Sequence, residues 1–359
     1  MRLLKTFFCL LGAAFLWTGC GTAGKPETAR YENPVLAENC PDPTVLDNRA
    51  RDGWFYAYST QGKNGVLPVY RSRDMVHWEF VADGFRGVKP DWEKNSRLWA
   101  PDINFVDGRY VLYYALGVWG DHIRSASGVA VADSPSGPFQ DQGMIASFAN
   151  TGVLNAIDPN FFQDGDKKYL LWGSLRRNSI EGIVHPDGLS VKEGIWIIEL
   201  TADGLSVKPG AEPVKVAGDN QEGVYLHKRG GWYYLFTSEG SCCEQEKSTY
   251  HVMVGRARSP LGPFVSRTGV SMIAREGTYD QVILVKNGDF RFVGPGHNSQ
   301  ILTDDAGNDW MYYHAFSKAN GYNGRFLLMD RILWDKEGWP YFAEGAPSAS
   351  SAAPYVKNK

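Results

Sequence analysis

GWFYAYST, residues 53–60, is dense in aromatic residues and follows a Gly turn. It is too short and too rich in β-favouring residues for a helix, so it reads as a buried strand. Four more stretches share that character: GRYVLYYA (108–115), KKYLLWGS (167–174), GWYYLFTS (231–238) and DWMYYHAF (309–316). Most follow turn residues, as in DGR, GDK and RGG. Their third residues are Phe55, Tyr110, Tyr169, Tyr233 and Met311, at intervals of 55, 59, 64 and 78. No stretch sustains a 3.6-residue amphipathic period.

Weaker echoes lie downstream. ADSPSGPF (132–139) and ARSPLGPF (257–264) follow the second and fourth copies, and YRSRDMVHWEF (70–80) fills that slot after the first. Short strands repeating every ~50–70 residues are the mark of a propeller blade. The expectation is an all-β, five-bladed β-propeller. A β-sandwich explains short strands but not their fivefold recurrence.

Just ahead of each aromatic strand stands one ionisable group. The segments are PDPTV with Asp42, WAPDINF with Asp102, AIDPNFF with Asp158, QEGVYL with Glu222 and GPGHNSQ with His297. They precede the aromatic marker by 8 to 14 residues. The first strand of every propeller blade lines the central channel, so the five groups should converge at one mouth. Asp42 lies between Pro41 and Pro43. Proline stiffens its own φ and pushes the preceding residue towards extended backbone, so Asp42 is either a turn device or a positioned reagent.

The ends read differently. Residues 1–20 hold a basic start, an apolar stretch and Gly19-Cys20, too short for a membrane span and typical of an export signal. Leu16-Trp17-Thr18-Gly19-Cys20 looks like a loose lipobox, cut before a lipidated Cys20; a plain secretory signal with an incidental cysteine is the other reading. Residues 21–32 form a tether, 33–345 the catalytic propeller and 346–359 a polar tail. The expected product is an exported, outer-membrane-anchored lipoprotein facing the periplasm, and a monomer. Net charge is −3 and no basic block occurs, which argues against nucleic acid. Cys-x₂-Cys metal spacing is absent, and Cys242-Cys243 is open to three readings: free, vicinally paired or unused.

Carboxyl groups facing each other across a sugar are the minimum machinery of glycoside hydrolysis: one donates a proton to the leaving oxygen, the other attacks or activates water. A third carboxylate raises the acid's pKa by repulsion. Asp42, on stiff backbone, suits the base. Glu222, longer and in a Gly-containing segment, suits the proton donor, and Asp158 suits the electrostatic tuner. Sugar faces stack on aromatic rings, which makes Trp54, Trp99 and Trp119 candidates.

The order Pro-Asp-Pro, Trp-Ala-Pro-Asp-Ile, Asn-Ala-Ile-Asp-Pro-Asn, Glu-Gly-Val-Tyr and Gly-Pro-Gly-His-Asn resembles glycoside hydrolase family 43, five-bladed inverting enzymes. TSEGSCCEQEKSTYHVMVGRARSPLGPF (237–264) is similar to its arabinan endo-1,5-α-L-arabinanase branch. The resemblance covers residues 33 to about 342. It implies Asp42 as general base, Glu222 as general acid and Asp158 as pKa tuner. It implies Trp99, Trp119, Asn155 and Ser174 as sugar contacts, and His297 as the holder of a mostly water-coordinated Ca2+; a core histidine is the plainer reading of His297. Asp102 reads as structural. The implied substrate is arabinan or arabino-oligosaccharide.

The chain departs from that branch in three places. Glu222-Gly223-Val224-Tyr225 replaces the usual Glu-Ala-Pro-Tyr, Arg275-Glu276-Gly277-Thr278 replaces a Gly-rich run, and the segment after Ser174 is longer. These keep exo-action, as an arabinofuranosidase or β-xylosidase, beside endo-action as an alternative. A glycan-capturing or purely structural propeller is a further one, but leaves three acids without a use.

Overall fold

The computed structural model describes residues 29–173, 182–274 and 279–357. Five antiparallel sheets follow one another along the chain. The first blade is built from Thr44–Asp47, Phe55–Tyr58, Pro68–Ser72 and Glu79–Asp83; the second from Arg97–Val106, Arg109–Gly117, Ala126–Ala132 and Gln140–Ala146. The third uses Asn160–Asp164, Lys167–Trp172, Ile195–Glu199 and Val214–Ala217, and the fourth Gln221–Arg229, Trp232–Glu239, His251–Ala257 and Val282–Leu284. In the fifth, Phe292–Gly296 and Ile301–Thr303 share the inner position against Asp309–Ser317, followed by Arg325–Trp334. The protein is the expected all-β, five-bladed propeller, and each aromatic repeat is the second strand of its blade.

The outermost strand of the fifth blade comes from the other end of the chain: Leu36–Asn39 pairs with Arg325–Trp334. This closes the ring with backbone hydrogen bonds rather than side chains alone. Outside the expected 33–345 boundary, Arg30–Glu32 pairs with Ser350–Ala352, which ties both ends of the chain together. Residues 1–28, with the signal, Cys20 and most of the tether, lie outside the described residues, as does Ser174. No helix among the described residues is long and apolar enough to cross a membrane.

The packing explains why the repeats are apolar throughout. Among the described residues, most of the hydrophobic core lies in five clusters, one between each pair of neighbouring blades, with a small sixth of Val293, Phe316 and Tyr322 in the fifth blade. Phe55 and Ala57 point into the cluster shared with the fifth blade, and Tyr56 and Tyr58 into that shared with the second. A strand buried on both faces has no polar face to display, so its sequence does not alternate. Val111 and Tyr113 against Leu112 and Tyr114 divide in the same way.

Each inner strand carries, within it or within two residues of its end, a left-handed residue: Asp42 (φ 52°), Ala100 (φ 42°), Asp158 (φ 54°), Gly223 (φ 60°) and His297 (φ 48°). In blades two and four the strand pairing slips there by one residue, between Trp99 and Asp102 and between Glu222 and Tyr225. A bulge of this kind bends the strand and re-aims its side chains. The expectation of extended backbone at Asp42 is therefore corrected. The flanking prolines hold it stiff, but the left-handed turn that recurs in all five blades overrides the pre-proline preference.

Candidate active site

Four of the five ionisable groups meet at one mouth. Asp42, Asp158, Glu222 and His297 all line a groove of about 590 Å³ at the channel entrance. His297 Nδ1 lies 3.6 Å from the Asp42 carboxylate and 4.0 Å from that of Asp158. Three of the four are themselves left-handed, and the fourth, Glu222, stands beside left-handed Gly223. Gly223 is needed there: a Cβ on it would come within 3.2 Å of the His297 ring.

Asp102 does not join them. It stands two residues beyond the bulge position of its blade, where the side chain enters a belt deeper in the channel. The belt is a closed set of five hydrogen bonds, each from a backbone N–H to the side chain of the preceding blade. Ile103 donates to Thr44 Oγ1 (3.2 Å), Phe161 to Asp102 Oδ2 (2.8 Å) and Leu226 to Asn160 Oδ1 (3.0 Å). Ile301 donates to the Tyr225 hydroxyl (3.1 Å), and Val45 to Gln300 Oε1 (3.1 Å). Asp102 also accepts from Asn104, Asn160 and Gln300 side-chain amides, at 2.8, 3.3 and 2.8 Å. Burial pushes its pKa up to about 7, against the pull of Phe161, Asn104 and Asn160. Its acceptor capacity is filled by protein, which leaves it a fastener between blades.

Asp42 is held differently. Burial works against its charge, but Arg325, His297, His314 and the Thr60 hydroxyl together pull its pKa well below the carboxylate range. Arg325 Nη1 contacts Oδ1 at 2.8 Å, and Thr60 donates to Oδ2 at 2.6 Å. The Asp42 N–H donates to His314 Nδ1 at 3.0 Å. That bond requires a neutral His314, and burial, with Arg325 next, keeps its pKa well below that of a free histidine. Burial likewise lowers His297, with Asp42 opposing and Arg325 adding.

Asp158 is shifted the other way. Burial, then the charge of Glu222, then that of Asp42 raise its pKa well above the usual range, opposed by the Gly223 N–H that it accepts at 3.0 Å and by Arg325. Asp158 and Glu222 thus oppose each other's ionisation. The Tyr250 hydroxyl corroborates the convergence: after burial, Glu222, Asp158 and Asp42 in turn raise its pKa. The mouth thus holds one carboxylate kept ionised, Asp42, and one pushed towards its protonated form, Asp158, beside the charge of Glu222. Environments that push pKa values apart mark acid and base assignments.

Of the expected sugar contacts, Trp99, Trp119 and Asn155 line the groove. The two indoles meet edge to face with centroids 6.1 Å apart, and Trp119 is 71% exposed. Gly117 makes room for Trp99, whose ring would stand 1.8 Å from a Cβ there. Trp54 is corrected: it sits outside the groove on the first blade, clasped by Arg71 and Arg73 at 4.1 and 3.9 Å. Cys242 and Cys243, left open by spacing, are bonded to each other and line the groove.

No group of three His, Cys, Asp or Glu side chains among the described residues could hold a metal ion directly. The residues around His297 therefore do not form a protein cage for Ca2+, which favours six to eight oxygen ligands.

Sequence reading missed Arg325, Thr60 and His314. One signal was available for the histidine. It fills the sixth place of DWMYYHAF, where the other four copies place Tyr58, Tyr113, Trp172 and Phe236. Arg325 sits in no repeated motif.

A ring of five blades with three carboxyl groups, oppositely tuned, lining one groove is the architecture of a glycoside hydrolase. The glycosyl hydrolases family 43 model matches residues 31–340, and the chain belongs to that family. The chain is 32% identical over 321 residues to the extracellular exo-α-(1→5)-L-arabinofuranosidase ArbA of Cellvibrio japonicus, covering 84% of this chain and 86% of that protein. It is 28% identical to the extracellular endo-α-(1→5)-L-arabinanase 1 of Bacillus subtilis, covering 84% and 87%. The solved Cellvibrio cellulosa α-L-arabinanase with arabinohexaose superposes with a TM-score of 0.72 at 28% identity, covering 86% and 96%.

Proposed function

We propose that this chain hydrolyses α-1,5-linked L-arabinofuranosyl bonds in arabinan or arabino-oligosaccharides with inversion at the anomeric carbon. The observation behind it is the opposite tuning of Asp42 and of the Asp158–Glu222 pair within one groove. Asp42, kept ionised by Arg325, takes a proton from water as the water oxygen bonds to the anomeric carbon. Glu222 gives its proton to the leaving glycosidic oxygen as that C–O bond breaks, while Asp158 holds up the acid's pKa by repulsion. Trp99, Trp119, Asn155 and Ser174 contact sugar. NMR of the first turnovers on linear arabinan tests this: the new anomeric centre should be inverted, and a retained product sinks it.

Exo-action is the second reading, favoured by the Cellvibrio japonicus relative's name. Product lengths from arabinohexaose separate the two, since exo-attack releases one fixed small product from the start.

Three further parts of this reading concern the protein's surroundings. Ca2+, held mostly by water beside His297, should be found by metal analysis, and full activity of metal-free protein would remove any catalytic need for it. Relatives named extracellular support export. Anchoring to the outer membrane through a lipidated Cys20, facing the periplasm, predicts that Cys20→Ala protein leaves the membrane fraction; unchanged fractionation refutes it. Light scattering should give the mass of a monomer.

A further inference from the structure

Two adjacent cysteines in the groove wall have so far no assigned use. Cys242 is bonded to Cys243. A disulfide stabilises a fold chiefly by closing a loop in the unfolded chain, and the benefit grows with loop length. One between sequence neighbours closes no loop of consequence. Its use must lie in the surface it presents.

That surface faces the groove. The fourth blade reaches the groove lining through three described residues: Glu222, Cys242 and Cys243. Glu222 pairs with Ser238 on the next strand, which ends at Glu239, and the chain then turns at Gly240 into the cysteine pair. Gly240 has φ 93°, and a Cβ there would come within 2.7 Å of the Thr249 carbonyl oxygen, so the loop folds tightly on its own return limb. Ser241 O accepts from the N–H groups of Thr249 and Tyr250, both at 3.2 Å, and Thr249 Oγ1 accepts from Ser241 N–H at 3.0 Å. Ser248 Oγ accepts from Glu244 N–H at 3.0 Å. These four bonds fix the pair in place. Across the groove stand Trp99 and Trp119 of the second blade.

We propose that the Cys242–Cys243 disulfide is a sugar-contacting surface on the leaving-group side of the groove, facing the arabinofuranosyl residue that receives the proton from Glu222. It rests on the hydrolase reading above. Glu222 must reach the leaving oxygen, and the sugar bearing that oxygen then lies over the rest of the fourth blade's wall, which is the disulfide. The joined sulfurs offer a polarisable, apolar face without hydrogen-bond donors, suited to the C–H face of a furanose ring. Reduction takes two electrons and two protons from a phosphine–water or dithiol reductant and leaves two thiols. Each is then free to rotate, and exposed Cys243 loses its fixed place.

The test uses the whole protein. Mass analysis of the unreduced peptide spanning both residues should find it two hydrogens lighter than the dithiol form. Cys242→Ala/Cys243→Ala and the phosphine-reduced parent should both raise KM for arabinohexaose by ~10-fold, or ~1.4 kcal/mol, with a smaller change in kcat. Where the double variant does not fold, the reduced parent gives the reading. Free thiols in the native peptide, or an unaltered KM in reduced protein, overturn the proposal. If the parent cleaves no arabinan, the hydrolase reading fails on its own. Calorimetry with arabinohexaose then decides the disulfide, and affinity that does not fall on reduction overturns it.

Discussion

Asp42 and Asp102 are both aspartates next to a proline, one just ahead of an inner strand and the other midway along its neighbour, yet they are opposites. Asp42 occupies the left-handed position of its blade and presents its carboxylate to the groove, balanced by Arg325. Asp102 follows the bulge position by two residues and gives its oxygens to Phe161 N–H and three side-chain amides. One layer of the channel is strained, charged and open; the layer beneath is relaxed and saturated with hydrogen bonds. The same residue type becomes reagent or fastener according to phase on the strand. Strain and unfilled capacity at the mouth are stabilised by the closed belt below it.

The sharpest way to break this comparison is to neutralise both aspartates in turn. Asp42→Asn should lower kcat on arabinan by about 10²–10⁴-fold, measured on protein whose circular dichroism matches the parent. Near-native turnover would return Asp42 to being a turn. Glu222→Gln should lose a comparable factor on arabinan but recover much of it on an aryl arabinoside with a good leaving group, which needs no proton. Equal loss on both substrates removes Glu222 from the acid role.

Asp158→Asn should act through pH more than through rate. The acid works only while protonated, and a neighbouring negative charge makes its proton harder to lose. Removing that charge lets the proton go at lower pH, so the alkaline limb of kcat should move to lower pH. An unmoved limb means that Asp158 does not tune the acid. The smallest effect on turnover should come from Asp102→Asn. An amide there sets a donor against donors, costing about 1–3 kcal/mol of stability by urea unfolding, with kcat near the parent's. A collapse in kcat without loss of stability would place Asp102 in the reactive layer.

The ring itself was legible because each second strand is buried on both faces, a requirement that fills five segments with aromatics and recurs at a regular distance. Asp42, Asp158 and Glu222 were legible because the same phase repeats beside proline or glycine. The phase of Asp102 was misjudged since the bulge inserts residues that a count along the sequence cannot see. Gly223, not Glu222, occupies the bulge phase in blade four, and Ala100, not Asp102, does so in blade two. Arg325 comes from a segment whose nearness to Asp42 exists only once the ring is closed, whereas Thr60 reaches Asp42 across the first blade's own hairpin, 18 residues on. His314 was hidden among aromatics because a neutral imidazole packs like one, stacked on Tyr250 with centroids 5.7 Å apart.

The closing strand, Leu36–Asn39, ends three residues before Asp42. Asp42 meets Arg325 across 283 positions of sequence, and His314 across 272. Contacts so distant along a chain form late, after the loop entropy between them has been overcome. A growing or half-folded chain thus carries Asp42 without the guanidinium that keeps it charged or the imidazole that holds its backbone. Four finished blades are a scaffold with no working centre. Competence arrives in one step, when the first strand docks on the last blade, so turnover by this protein is itself a report that the whole circle has been completed.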